Sequence, residues 1–104
     1  MSLDILRKIS LAYMRIHILY HAGKEPFFGL WMIKELGKHG YQISSGTLYP
    51  ILHNLENEGL LVSDKRVIQG KVRKYYSLTK KGNNVLQEIR DKTEELYGEI
   101  LEEE

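Results

Sequence analysis

Gly46-Thr47-Leu48-Tyr49-Pro50-Ile51-Leu52-His53-Asn54-Leu55-Glu56-Asn57-Glu58-Gly59-Leu60-Leu61 is the stretch whose reading decides the fold of this chain. Leu48, Ile51, Leu52 and Leu55 recur at intervals of three and four, the spacing that gathers side chains on one side of an α-helix. Gly59 supplies the stop. With that side committed to a core, Gly46, Pro50, His53 and Asn57 face outward, flanked by Thr47, Tyr49 and Asn54. This outward face holds short or hydrogen-bonding side chains and no carboxylate, so it can approach phosphate. The cap should be Ser45, Gly46 or Thr47. Because proline clashes with the carbonyl four residues earlier in a helix interior, Pro50 is expected in the first turn, which places the cap near Gly46 or Thr47.

Downstream, residues 60–68 and 72–78 are β-rich and are joined by Gln69-Gly70-Lys71, which predicts a hairpin. Lys65, Arg66, Lys71, Arg73, Lys74, Lys80 and Lys81 place seven cations between positions 65 and 81 with no acid among them. Residues 88–104 carry eight acids against two bases. A net charge of +1 hides this separation, and a basic hairpin beside a carboxylate-free helix face is the footprint of a nucleic-acid-binding wing.

Upstream, Ile5, Ile9, Ala12, Ile16 and Leu19, with Leu6, Tyr13 and Tyr20 beside them, predict a helix over 4–21 that is apolar around much of its girth and buried on more than one side. After the break at Gly23 to Pro26, Phe27 to Leu36 restarts the pattern as a second helix ending near Gly37 or Gly40, with Trp31 as a packing residue. Residues 41–44 form a short extended link, and the second and third helices make a helix-turn-helix. A final helix from 79 or 80 to 101 repeats Leu86, Ile89, Thr93, Leu96 and Ile100 at alternating intervals of three and four, flanked by Val85, Tyr97 and Leu101. A lone exposed helix would not keep that seam. At 104 residues the chain buries a modest fraction of its surface, so a dimer is expected. The expected interface is isologous and comprises Ile5, Ile9, Tyr13, Leu86, Ile89, Leu96 and Ile100. The resulting architecture is mainly α with a small β-hairpin: a winged helix-turn-helix over 1–82, including the N-terminal helix, and a C-terminal dimerisation helix over 83–104. The acidic end Glu102 to Glu104 is expected to be frayed and solvated.

Other classes are disfavoured on chemistry. The chain has no cysteine, which removes disulfides and thiolate metal sites, and it has neither a long apolar run nor a signal-peptide pattern, so a cytoplasmic location is expected. His17, His21 and Glu25 are spaced as metal ligands on one helix face. Gly23 should end that helix before Glu25, so interfacial histidines, no metal and no cofactor are expected. No nucleophile–base pair or phosphate-cradling glycine loop is visible, and no enzyme is expected.

The third helix and the wing resemble those of the PadR family of bacterial transcription regulators, which carry a Gly-Thr-Leu-Tyr-Pro opening, here residues 46–50, and a basic Arg-Lys-Tyr-Tyr strand, here residues 73–76. The likeness runs from about position 28 to 82. The family's wing often reads Gly-Arg-Pro-Arg-Lys-Tyr-Tyr, whereas this chain has Gly70-Lys71-Val72-Arg73-Lys74-Tyr75-Tyr76 and lacks the stiffening proline.

Within that frame, Ser45, Thr47 and Tyr49 sit at the positive end of the third helix and are expected to hold phosphate. His53 and Asn54, deeper along it, are expected to reach base edges, while Lys71, Arg73 and Lys74 follow the phosphates or enter the minor groove. Repressors of this architecture bind palindromes as two-fold dimers. The resemblance implies repression and, as in some members, release by a small aromatic or cationic drug-like effector at the dimer, for which Tyr13, Tyr20 and Tyr97 are candidate lining. The alternative is a winged helix used for protein contacts without specific DNA binding.

Overall fold

The third helix closes as its spacing requires. In the computed structural model, which describes residues 2–101, α3 runs Ser45–Asn57. Leu60 N–H bonds the Leu55 carbonyl and Gly59 N–H bonds that of Glu56. Gly59 lies at φ 80°, so these bonds form the left-handed stop that glycine adopts without strain. The preceding helix, α2 at Gly29–Lys38, ends the same way: Tyr41 N–H bonds the Leu36 carbonyl and Gly40 N–H that of Gly37.

The start of α3 differs from expectation. Ser44 is the N-cap residue, and no side chain caps the helix, so neither Gly46 nor Thr47 has that role. Pro50 therefore lies inside the helix. The cost is contained because Gly46 and Pro50 are both on the exposed side, where water can take the carbonyl that lacks a proline N–H partner.

The remaining elements are α1 Ser2–Lys24, β1 Phe27–Phe28, β2 Leu61–Ile68, β3 Lys71–Leu78 and α4 Lys80–Leu101. β1 is unforeseen: Phe27 and Phe28 do not start α2 but pair antiparallel with Tyr76 and Tyr75, giving a sheet ordered β1-β3-β2. Aromatic pairing explains the choice, with Phe27 stacked on Tyr76 at 5.7 Å and Phe28 edge-on to Tyr75 at 5.5 Å. The hairpin turn is also tighter than expected. Gln69 at φ 53° and Gly70 at φ 77° form a two-residue loop, and Lys71 belongs to β3 opposite Ile68.

One core joins these elements. Leu48, Ile51, Leu52 and Leu55 of α3 pack with Met14, Ile18, Leu19 and Ala22 of α1, Met32 and Leu36 of α2, and Phe27, Leu60, Leu61 and Tyr76. Leu48, Leu52, Ile18, Met32 and Leu36 are fully buried, each contributing about 1.5–3 kcal/mol of apolar burial. α1 is thus core-forming only in its second half; Ile5, Leu6, Ile9 and Tyr13 are exposed. The expectation of a helix buried on several sides along its length fails there, because the other described elements cover only the later turns.

α4 is bolted to the end of α3. The Thr79 hydroxyl donates to the Gly59 carbonyl at 2.6 Å and accepts from Gly82 N–H at 2.9 Å, capping α4. Lys81 Nζ donates to the Glu58 carbonyl at 2.8 Å, placing a cation at the negative end of α3. Val85, Leu86 and Ile89 pack on the core, whereas Leu96, Tyr97, Ile100 and Leu101 are exposed. Glu102 to Glu104 lie outside the described residues. No helix among the described residues is long and apolar enough to cross a membrane.

Candidate nucleic-acid interface

On α3, Ser45, Tyr49, His53 and Asn54 are exposed and Thr47 is half-buried, together with exposed Gly46, Pro50 and Asn57. The two carboxylates of this segment are turned aside. Glu56 accepts a hydrogen bond from the Ser63 hydroxyl at 2.6 Å and lies 3.9 Å from Lys74 Nζ, and Glu58 sits at the far end as C-cap. The Tyr49 ring tip lies against Gly29, in space that a side chain there would need, so its hydroxyl reaches the start of α2.

The wing follows from register. Residues directly opposite share a face, so Lys65 stands beside Lys74 and Arg66 beside Arg73. The Lys65–Lys74 face also carries Ser63 and Tyr76 and turns toward Glu56 of α3. Arg66, Arg73 and Tyr75 occupy the other face, with Lys71 two residues before Arg73. There, aromatic rings position the guanidinium groups: Arg73 lies 4.2 Å from the Phe28 ring centre and Arg66 5.3 Å from that of Tyr75. Asp64 holds Arg66 Nε at 3.1 Å. Burial raises the Tyr76 hydroxyl above its ordinary pKa, helped by Glu56 and Tyr49, so it stays neutral.

Two like-charge pairs directly opposite on neighbouring rungs work against the hairpin. Glu56 and Asp64 each compensate one cation of a pair, leaving a wing suited to meet a polyanion. Lys65 and Arg66, counted among the wing cations in the sequence but not among its expected contacts, are brought beside Lys74 and Arg73. Their signal was the two-residue turn, which sets the register and hence the pairing.

Elsewhere, Ile5, Ile9, Tyr13, Leu96 and Ile100 are solvent-exposed, between 43 and 62%. Leu86 and Ile89 instead pack on their own core and line an open cleft of about 930 Å³ between α1 and α4, together with Tyr13 and Tyr20. Tyr97 is not among its lining residues.

Comparison with known proteins agrees with this geometry. Residues 18–88 match the model of the transcriptional regulator PadR-like family. The chain is 47% identical over 96 residues to transcriptional regulator Rv3488 of Mycobacterium tuberculosis, covering 92% of this chain and 90% of that protein. The crystal structure of a PadR family transcriptional regulator from Eggerthella lenta is similar with a TM-score of 0.79 at 31% identity, covering 99% of this chain and 94% of the other. A PadR-like transcriptional regulator from Bacillus cereus gives a TM-score of 0.81 at 27% identity, covering 93% and 99% respectively. The chain belongs to the PadR-like family and is a DNA-binding transcriptional regulator, not an enzyme.

Proposed function

We propose that the chain is a repressor that binds a palindromic operator as a homodimer, each protomer laying α3 in a major groove and its wing along the adjoining phosphates. The observation that carries this reading is the joining of a carboxylate-free helix face to a wing with like-charged residues set opposite one another. Ser45, Thr47 and Tyr49 hold phosphate at the uncapped end of α3; His53 and Asn54 meet base edges. Lys71, Arg73 and Lys74 supply the wing contacts, with Lys65 and Arg66 beside them.

Residues 1–82 act as the DNA-binding unit and 83–104 as the dimerisation helix. Ile5, Ile9, Tyr13, Leu96 and Ile100 supply the exposed apolar surface for the interface, while Leu86 and Ile89 support it from the core side. A planar aromatic effector fits the chemistry of the cleft lined by Tyr13 and Tyr20, and it would release DNA only by favouring a spacing of the two wings that DNA does not.

Counterion release distinguishes this function from a protein-contact module. Binding to operator DNA, followed by fluorescence anisotropy over a salt series, should weaken steeply with salt. Replacing Lys71, Arg73 and Lys74 together by alanine should flatten the log–log slope by about 2.7 if each meets one phosphate. A salt-independent affinity, or an unchanged slope in a variant with native circular dichroism, contradicts the proposal.

A further inference from the structure

At the junction of α1 and α2, four side chains able to ligate a metal converge. His17 and His21 are one turn apart on α1, so they project from one face of it, while Glu35 stands in the last turn of α2 and His39 is its C-cap residue. Ring nitrogens of His17, His21 and His39 lie within 4.8 Å of one another. The Glu35 carboxylate joins them, with Oε2 3.5 Å from His21 Nε2 and 3.4 Å from His39 Nε2. His17 stacks on His39 at 4.4 Å.

An ordinary packing role leaves one atom unexplained. His21 Nε2 is buried and has no hydrogen-bond partner, although Glu35 Oε2 stands 3.5 Å from it. Burial of such a nitrogen without a partner is costly. Burial also lowers the pKa of His17, with His39 and His21 acting in the same direction; it lowers that of His21, partly opposed by Glu35. For Glu35, burial alone would raise the carboxyl, but its charged and hydrogen-bonding neighbours, Lys38 first, outweigh it and lower its pKa.

We propose that His17, His21, Glu35 and His39 form a site for a divalent transition-metal ion of the zinc type. Three imidazoles and a carboxylate are a donor set that tetrahedral zinc accepts. Nitrogens bound at about 2.0–2.1 Å in a tetrahedron are about 3.4 Å apart, so closure needs movement of roughly an ångström, available to the exposed His39 by side-chain rotation. The sequence pattern pointed to Glu25 as third ligand and to no metal; the partners come instead from a separate helix, and Glu25 lies beyond the end of α1. The ion would tie α1, which carries the exposed apolar surface, to α2, which packs against α3. The site stands without reference to DNA.

Titration of the metal-stripped chain with Zn²⁺ in chelator-buffered solution tests it. Trp31, the single tryptophan, lies with its ring 5.6 Å from that of His21 and reports binding by fluorescence. One ion per chain is expected, with a rise in Tm on binding. His39→Gln, at a side chain 40% exposed that can be replaced without unfolding, should weaken binding by about 100-fold or more, since even outer-shell partners are worth roughly 10–100-fold. His17→Gln should do the same, Glu25→Gln should bind as the unaltered chain does, and a four-coordinate Co²⁺ spectrum should be lost with His39→Gln. Absence of stoichiometric binding, or undiminished affinity in both histidine variants, would overturn the site.

Discussion

On the proposed function, Lys65 serves binding at the expense of the fold. It stands opposite Lys74 in the hairpin, a pairing that costs stability in the free protein. Lys65→Glu would turn this into an opposite-charge pair and should raise stability by roughly 0.2–1 kcal/mol in denaturant titration. The same change should weaken DNA binding at all sequences alike and lower the salt slope by about 1. A variant that loses stability, or keeps its full DNA affinity, argues against a phosphate role for this face. The residues of α3 were legible from spacing alone, because a buried stripe dictates which side chains face outward. Lys65 was not, since its neighbour is set by a turn one residue shorter than Gln69-Gly70-Lys71 suggested. His39 and Glu35 were hidden for a similar reason: ligands on two helices leave no local spacing to read.

At the scale of elements, the junction between β3 and α4 is the tightest joint. A Cβ at Gly82 would collide with the Leu60 carbonyl and press on the Leu78 side chain. Alanine is worth about 1 kcal/mol over glycine in a helix interior, yet here a backbone atom must move, so overpacking wins. Gly82→Ala should destabilise by about 1–3 kcal/mol in chemical unfolding; a neutral or stabilising result would mean that α4 does not seat on Leu60 this closely. The element order of helices and wing followed from periodicity and glycine stops. β1 escaped, because two residues cannot display a period of two, and Phe27-Phe28 joins a sheet only through the distant Tyr75 and Tyr76. Pro50 misled for another reason: the rule against interior proline assumes an unpaired carbonyl in a dry place, whereas this one lies on the exposed side.

For the whole molecule, extents of 56 × 31 × 23 Å accompany apolar surface left exposed toward the start of α1 and the end of α4. That surface is the sequence's repeating seam carried past the core, and in the proposed homodimer a second copy covers it. Leu96→Glu with Ile100→Glu should give monomers in sedimentation runs with a native circular-dichroism spectrum, and operator affinity should fall with the loss of the second half-site. A double variant that remains dimeric would place the interface elsewhere. Dimerisation and groove reading together make the strongest demand on DNA, so selection of bound duplexes from a random pool tests them most directly. A two-fold dimer predicts recovery of an inverted repeat with half-site centres about one helical turn, roughly 34 Å, apart; recovery of a single undivided half-site, or of no enriched sequence, would contradict it.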